Sequence, residues 1–212
     1  MMRVLILGAG GHAQVVADIL LRAREAGQKI TPIGYLDDDT DLHGKMLLDL
    51  PVLGDTSLLG RIPHEAAIIA IGNNQIRRRL AEHFFLAGET FIIARHPASV
   101  TAPDVRIGPG TMICAGAIVN TGSVIGAHVI LNTGCTVDHH SVVGDYVHVA
   151  PGGHIVGEVV IEEGALIGIG ATIAPRLSVG AWATVGAGAV VTKSVPHGVT
   201  VVGVPARPLQ KG

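Results

Sequence analysis

From Ile107 to Val191 every sixth residue is aliphatic: Ile107, Ile113, Val119, Ile125, Leu131, Val137, Val143, Val149, Ile155, Ile161, Ile167, Ile173, Val179, Val185 and Val191. Four residues after each comes a mostly small one, as at Ala117, Ser123, Cys135, Ser141, Gly153, Ala165, Ala171, Ala183 and Ala189. A period of six is neither the 3.6 of a helix nor the 2 of a simple strand. It is the mark of a parallel β-helix in which each hexad supplies one short strand and one turn. Three hexads make a triangular coil, so residues eighteen apart stack in columns and the inward aliphatic side chains lie on one another, which favours flat β-branched residues. The run predicts about five coils, on the order of 24 Å of prism at roughly 4.8 Å per strand. A solenoid's ends need covering, and the chain before residue 107 and after Pro196 is the material for it.

Upstream the pattern changes. Residues 3–7 read as a buried strand, 8–11 as a tight turn, and 12–26 as a helix with Val15, Val16, Ile19 and Leu20 on one face. Residues 30–36 give a second strand ending in Asp37-Asp38-Asp39, and 66–71 a third ending in Gly72-Asn73-Asn74. A helix over 75–87 and a strand over 90–94 complete the set. Alternating strands and helices predict an open parallel α/β sheet with ligands beyond the carboxyl ends of its strands. The expected organisation is an α/β domain over 1–95, a linker over 96–106 containing two prolines, a β-helix over 107–196, and a capping tail over 197–212.

Three loops converge on the ligand edge of that sheet. Backbone N–H groups at a helix start attract phosphate, glycine permits close approach, and carboxylates after the second strand accept hydrogen bonds from a ribose or base. Gly10, Gly11 and His12, the pair Asp37 and Asp38, and Gly72, Asn73 and Asn74 are therefore the candidate substrate-binding residues. Gly8-x-Gly10-x-x-Ala13 matches a relaxed dinucleotide fingerprint, but about 95 residues make only half of a dinucleotide fold, so a nucleotide-sugar is preferred to NAD. The plain alternative is that these glycines only shape a strand-to-helix turn.

Composition narrows the function classes. Hydrophobic residues make up 48% of the chain, charged ones 15% and aromatic ones 3%, a bias that the Val-, Ile-, Ala- and Gly-rich repeats explain. A net charge of -2 with no stripe of Lys or Arg argues against nucleic acid. Cys114 and Cys135 lack CxxC spacing and read as packing residues in a reducing cytoplasm. Gly8 interrupts the opening apolar run too early for a signal peptide, and no stretch of about 18 apolar residues appears, so a soluble protein without a membrane span is expected. Five histidines lie within the hexads, His128, His139, His140, His148 and His154, and none holds an inward position, so all are expected to face out. No two of them are eighteen apart, which does not suit a zinc site, and no metal is expected.

The run Asn132-Thr133-Gly134-Cys135-Thr136-Val137-Asp138-His139-His140-Ser141, continuing through His148 to Gly152, resembles the acetyltransferases that modify amino-sugars on nucleotide carriers and the sialic acid O-acetyltransferases grouped with them. Gly8-Ala9-Gly10-Gly11-His12, Leu36-Asp37-Asp38, Ile71-Gly72-Asn73-Asn74 and Val202-Gly203-Val204-Pro205-Ala206 recur there in the same order, so the likeness covers the whole chain. The resemblance implies a Rossmann-like half-domain followed by a left-handed β-helix, a homotrimer, acetyl-CoA as co-substrate, and a sugar nucleotide on the N-terminal domain. By that likeness His139 is the general base, and His148 contacts the thioester end of acetyl-CoA. Ile169 and Ala187 belong to the same cofactor site, and Lys193 and Arg207 meet CoA phosphates unless they are ordinary solvated charges. Gly157, eighteen residues beyond His139, stacks beside it and offers a backbone N–H to the thioester carbonyl. Relatives often carry a carboxylate where His140 stands. Either Asp138 or Asp145 replaces it, or the attacking amine needs no strong base.

The expected activity is acetyl transfer from acetyl-CoA to the amino group of a nucleotide-linked 4-amino-4,6-dideoxy sugar in surface glycan synthesis. The alternatives are O-acetylation of sialic acid and a non-catalytic sugar-nucleotide-binding trimeric scaffold. His139 and His148 are half a coil apart and project on opposite sides of one prism, so a shared reaction draws them from neighbouring subunits.

Overall fold

The computed structural model describes residues 1–209, and the chain divides into two compact units, Met1–Pro97 and Ala98–Gly212. The first is a parallel sheet flanked by helices. Its elements are β1 (Met2–Leu7), α1 (Gly11–Glu25), β2 (Ile30–Leu36), β3 (Met46–Leu47), β4 (Leu50–Gly54), β5 (Ala66–Ile69) and α2 (Asn74–Leu86). The sheet runs β3-β4-β2-β1-β5. Val4 to Leu7 of β1 have no exposed surface, as expected for a central strand covered on both faces. Pairing from β1 goes to β2 on one side and to β5 on the other, both parallel, which puts the switch in strand order at the carboxyl end of β1.

The expected strands and helices lie within a few residues of their predicted limits, with two differences. β3 and β4 were not foreseen, because the segment 40–62 is short-period and broken by Gly and Pro; β4 nevertheless pairs parallel to β2, and β3 folds antiparallel onto β4 as an edge. Residues 90–94 form no full strand beside this sheet: Phe91 makes a parallel bridge to Ala67, and Ala94 begins a separate two-residue strand, Ala94–Arg95.

The second unit is a left-handed β-helix. Strands stack in parallel at a register of eighteen: Ile118 on Val100, Thr136 on Ile118, His154 on Thr136, Thr172 on His154 and Val190 on Thr172 form a first face. A second face runs from Arg106–Ile107 through Val124–Ile125, Val142–Val143 and Val160–Ile161 to Ser178–Val179. A third carries Met112–Ile113, Ile130–Leu131, His148–Val149, Leu166–Ile167 and Thr184–Val185. The second residue of each of these strands from Ile113 to Val191 is buried, and with small residues such as Ala117, Cys135, Ala165 and Ala189 they make one continuous core. Ile107, in the first hexad, is only partly covered.

Residues 98–106, expected as a linker, already contain the strands Val100–Thr101 and Arg106–Ile107 of the first coil, so the β-helix starts earlier than the aliphatic count implied. The tail also belongs to it. Thr200–Val202 pairs with Thr184 and Val185 at a register of sixteen, and Arg207–Pro208 folds back antiparallel on it. His128 departs from expectation: it is 6% exposed, stacked on the Tyr146 ring at 5.5 Å and set against Gly110. It occupies a turn rather than a strand, where a ring folds back along the prism instead of projecting from it.

Turns between faces place their third residue in the left-handed region. Glycine holds that place at Gly116, Gly134, Gly152, Gly170 and Gly188, but His128, His140, Glu158 and Trp182 also adopt it, at φ of 53°, 55°, 61° and 58°. A side chain there costs on the order of 1 kcal/mol, offset by stacking on the coil beneath.

In the first unit, burial pushes the His12 imidazole from 6.5 down to about 4, with the Arg77 charge adding to it. As pH falls below 6.5 the unfolded chain takes up a proton that the folded one refuses, so this site's contribution is fully present above 6.5 and is lost toward pH 4. We expect His12→Asn to flatten part of the decline in urea-unfolding midpoint between pH 7 and pH 4; an identical slope in both proteins would remove His12 as the cause.

Candidate active site

At the carboxyl edge of the α/β sheet, Leu7, Gly8, Leu36, Asp37, Asp38, Thr56, Ile71, Ile76, Arg79 and Leu80 line a cavity of about 170 Å³. The loop glycines fall into two kinds. A methyl group at Gly8, at φ of 106°, would meet Ile71 and the Ala70 carbonyl, so that position is fixed by packing. At Gly10, Gly11 and Gly72 an added methyl would meet nothing within 4 Å, so their backbones face open space that a ligand can approach. Gly10 caps α1 without a side-chain bond, which suits the helix start for an anion.

The polar residues predicted for this edge differ in what they already hold. Asp37 Oδ2 accepts from the Ala9 N–H at 2.6 Å and its Oδ1 from the Asp39 N–H at 2.9 Å, so it ties the first loop to the second. Asp38 Oδ1 accepts from Thr56 N–H and Oγ1 at 2.9 and 2.7 Å, and its other oxygen has no protein donor among the described residues. Asn73 caps α2 by accepting from the Ile76 N–H at 3.0 Å, and Asn74 Oδ1 accepts from Arg77 at 2.9 Å. Sequence reasoning missed Arg77. It is fully buried and also donates to the Ile71 carbonyl at 2.8 Å, bracing the third loop from within. Its position in a predicted helix gave no sign of burial, since arginines are rarely inside unless bonded. Thr56 and Arg79 were missed too, Thr56 because it lies in the unforeseen segment after β4.

In the β-helix, the turn 138–141 joins the first face to the second and presents His139 and His140, both exposed. His139 lies against Gly157 one coil on: a methyl group at Gly157 would come within 2.5 Å of His139 Cε1. Among the described residues the Gly157 N–H has no protein acceptor, so it is available as a donor beside the imidazole. His140 leans the other way, over Gly122, with its ring 5.5 Å from that of His139 and nearly edge-on.

Two carboxylates stand near this pair. Asp138 Oδ1 accepts from the His139 N–H at 2.8 Å and from Asn120 Nδ2 at 2.9 Å. These bonds, the His139 N–H first and the Asn120 amide next, hold the Asp138 carboxyl below its ordinary range, and the His139 ring adds a small electrostatic part. Asp104, two coils earlier, is lowered mainly by Thr121, then by the Gly122 N–H, with His140 adding to the effect. Asp145, the other carboxylate considered for His139, is bonded to the Ala127 N–H at 2.7 Å in a turn between the second and third faces. It does not serve this histidine.

His148 sits on the third face, half-buried, with Nε2 3.1 Å from Asn132 Nδ2. The turns that follow that face carry Ile169, 61% exposed, and Ala187, also exposed, in one column. The third face is opposite the His139 corner of a triangular coil, so a single chain keeps His139 and Gly157 apart from His148, Ile169 and Ala187. Lys193 and Arg207 line a cavity of about 240 Å³ near the end of the β-helix, together with Val195, Pro196 and Ala206. Among the described residues no group of three or more His, Cys, Asp or Glu side chains is placed to hold a metal ion, and no helix is long and apolar enough to cross a membrane.

Known proteins resemble this chain over nearly all of its length. Residues 3–84 match the family described as PglD N-terminal domain, and residues 158–193 the bacterial transferase hexapeptide repeats. A GDP-perosamine N-acetyltransferase of Escherichia coli O157:H7 is 38% identical over 97% of this chain and 96% of its own. The acetyltransferase domain of PglB from Neisseria gonorrhoeae FA1090, solved with acetyl coenzyme A, superposes with a TM-score of 0.90 at 38% identity over 98% of this chain and 99% of that one. A mutant perosamine N-acetyltransferase from Caulobacter crescentus, solved with CoA and GDP-perosamine, gives 0.90 at 34% identity over 98% and 97%. With 38% identity to an N-acetyltransferase over nearly the whole of both chains, the chain belongs to the acetyl-CoA-dependent nucleotide-sugar N-acetyltransferases of the hexapeptide-repeat class.

Proposed function

We propose that this protein transfers the acetyl group of acetyl-CoA to the 4-amino group of a nucleotide-linked 4-amino-4,6-dideoxy sugar, in the cytoplasmic stage of surface glycan synthesis. The observation that carries the mechanism is the His139 ring lying against Gly157 beside the Asp138 carboxylate. His139 is the general base. The amine lone pair attacks the thioester carbonyl carbon, the Gly157 N–H steadies the developing oxyanion, His139 takes the proton that nitrogen sheds, and as the C–S bond breaks His139 passes that proton to the departing sulfur, releasing the CoA thiol. No Ser or Cys adjoins His139 as a nucleophile, which favours direct attack over an acyl-enzyme. Asp138 takes the place of the carboxylate that His140 lacks by orienting the turn and countering the charge that His139 gains. The names of the full-length relatives favour N- over O-acetylation.

The sugar nucleotide is assigned to the N-terminal edge: phosphate toward Gly10, Gly11 and the start of α1, ribose or base toward Asp38. Acetyl-CoA is assigned to His148, Ile169 and Ala187, with phosphates reaching Lys193 and Arg207. Because His139 and His148 project on opposite sides of one prism, the active site is shared between subunits of a closed trimer.

His139→Ala or His139→Asn should lower kcat by about 10²–10⁴ with the fold intact, since the side chain is exposed and outside the core. A loss below about fivefold, in a thiol-release assay, would show that the amine needs no base. Asp38→Ala should raise KM for the sugar nucleotide and leave that for acetyl-CoA nearly unchanged, and equal weakening of both would remove Asp38 from the nucleotide site. Dissociating and reassembling inactive His139→Ala with inactive His148→Ala should restore part of the activity, because some mixed trimers then hold one interface with both histidines. Mixed trimers without activity would place both histidines within one subunit's reaction or take His148 out of it.

A further inference from the structure

In an ordinary turn of this β-helix the chain closes on itself, the fourth residue's N–H donating to the first residue's carbonyl. Ala117 does so to Cys114, Cys135 to Asn132, Ala171 to Gly168 and Ala189 to Gly186, at 3.1–3.2 Å. Among the described residues the turns 108–111, 120–123, 144–147 and 174–177 lack this bond and have no hydroxyl in its place, whereas three other turns are bridged by one. Across 138–141, the Ser141 N–H donates to Ser123 Oγ at 3.3 Å, and that hydroxyl donates to the Asp138 carbonyl at 2.9 Å. Across 156–159, the Val159 N–H donates to Ser141 Oγ at 3.2 Å, and that hydroxyl donates to the Val156 carbonyl at 3.1 Å. Across 126–129, Thr111 Oγ1 stands between the Val129 N–H and the Gly126 carbonyl, at 3.1 and 2.8 Å. In each case a hydroxyl from one coil earlier takes the place of the direct bond.

A hydroxyl gives one hydrogen and accepts through its lone pairs, so each of these oxygens relays the bond across the turn instead of merely joining it. Other turns are open with no such oxygen, as at 144–147 and 174–177, so the hydroxyl does not open the turn but ties its two ends at a set separation. All three hydroxyl residues are buried: Ser123 is 1% exposed, Ser141 and Thr111 0%. The other small positions of the core, among them Ala117, Cys135, Ala165, Ala171, Ala183 and Ala189, have no hydroxyl to insert. Two of the three hydroxyl-bridged turns are the two that carry His139 and Gly157.

We propose that Ser123 and Ser141 are positioning residues for acetyl transfer, setting the spacing between the base and the oxyanion donor. Ser123 fixes the width of the His139 turn. Ser141 is both the last residue of that turn and the hydroxyl inserted in the next, so one side chain links the backbone that carries His139 to the backbone that carries Gly157. This rests on the roles given above to His139 and Gly157. A simple packing role for the serines would make their loss equivalent to the loss of Thr111, whose bonds are the same but whose turn lies between the second and third faces.

The test compares kcat, KM and melting temperature for Ser141→Ala, Ser123→Ala, Ser141→Thr and Thr111→Ala, with His139→Ala measured alongside. Removing the hydroxyl leaves the turn unbridged, as at 144–147 and 174–177, so the fold should persist while the spacing at His139 is no longer held. Ser141→Ala and Ser123→Ala should lower kcat by about 10–100-fold with KM for acetyl-CoA within about twofold. Ser141→Thr should keep most of the activity, as Thr111 shows that a threonine can make the same pair of bonds. Thr111→Ala should leave kcat within about twofold at a comparable loss of melting temperature. If Ser141→Ala does not fold, Ser123→Ala and Ser141→Thr decide the matter. Unchanged kcat in the serine variants, or an equal loss in Thr111→Ala, overturns the proposal; with His139→Ala inactive, the base assignment survives that result. An active His139→Ala removes the underlying site reading instead.

Discussion

The β-helical unit depends on the parallel stacking of short strands at a fixed offset of eighteen residues. Each inward aliphatic side chain is covered by its counterpart on the next coil, from Val119 through Val137 and Ile155 to Ile173 and Val191. Because the register holds for every strand from Val100 to Val191, the turns are in register too, and whatever projects from one turn lies against the same position of the next. His139 meets Gly157 for the same reason that Val137 meets Ile155. The geometry of this candidate site is a by-product of core packing, adjusted locally by which residues are glycine and which carry a hydroxyl.

In the N-terminal unit the controlling feature is the switch in strand order at β1. It brings three loops to one edge, and the loops are then held by the residues that sequence reasoning assigned to the ligand: Asp37 anchors the first to the second, Asn73 caps α2 and Asn74 engages Arg77. Asp38, by contrast, keeps one carboxylate oxygen without a protein donor among the described residues. A loop residue can shape a site without touching what binds there, and only the hydrogen bonds separate the two duties.

Much of the fold was legible because it is periodic. The hexad count placed the β-helix and its columns, including the contact of His139 with Gly157, from spacing alone. What periodicity did not reveal lies where the pattern is weak. The first coil begins at Val100, ahead of a clear aliphatic repeat, and β4 is a short strand between Gly and Pro. His128 was expected outside because it avoids the inward position, yet the turn conformation folds its ring against Gly110 and Tyr146. The choice between Asp138 and Asp145 depended on which backbone N–H each carboxylate finds, and residue spacing does not encode that. Handedness also came from resemblance, since the repeat length is the same for either hand.

The offset of eighteen also acts as a reading frame. One residue inserted into a turn would push every later side chain out of its column, moving Gly157 off His139 and turning inward Val and Ile positions outward. An insertion of eighteen would do none of this: it would add a coil, preserve every column, and carry the end cavity at Lys193 and Arg207 farther from the His139 turn by about one strand spacing, roughly 4.8 Å. In such a chain, length between two points along the prism changes only in whole coils, so the distance from His139 to the basic end is set in discrete steps, like the rungs of a ladder.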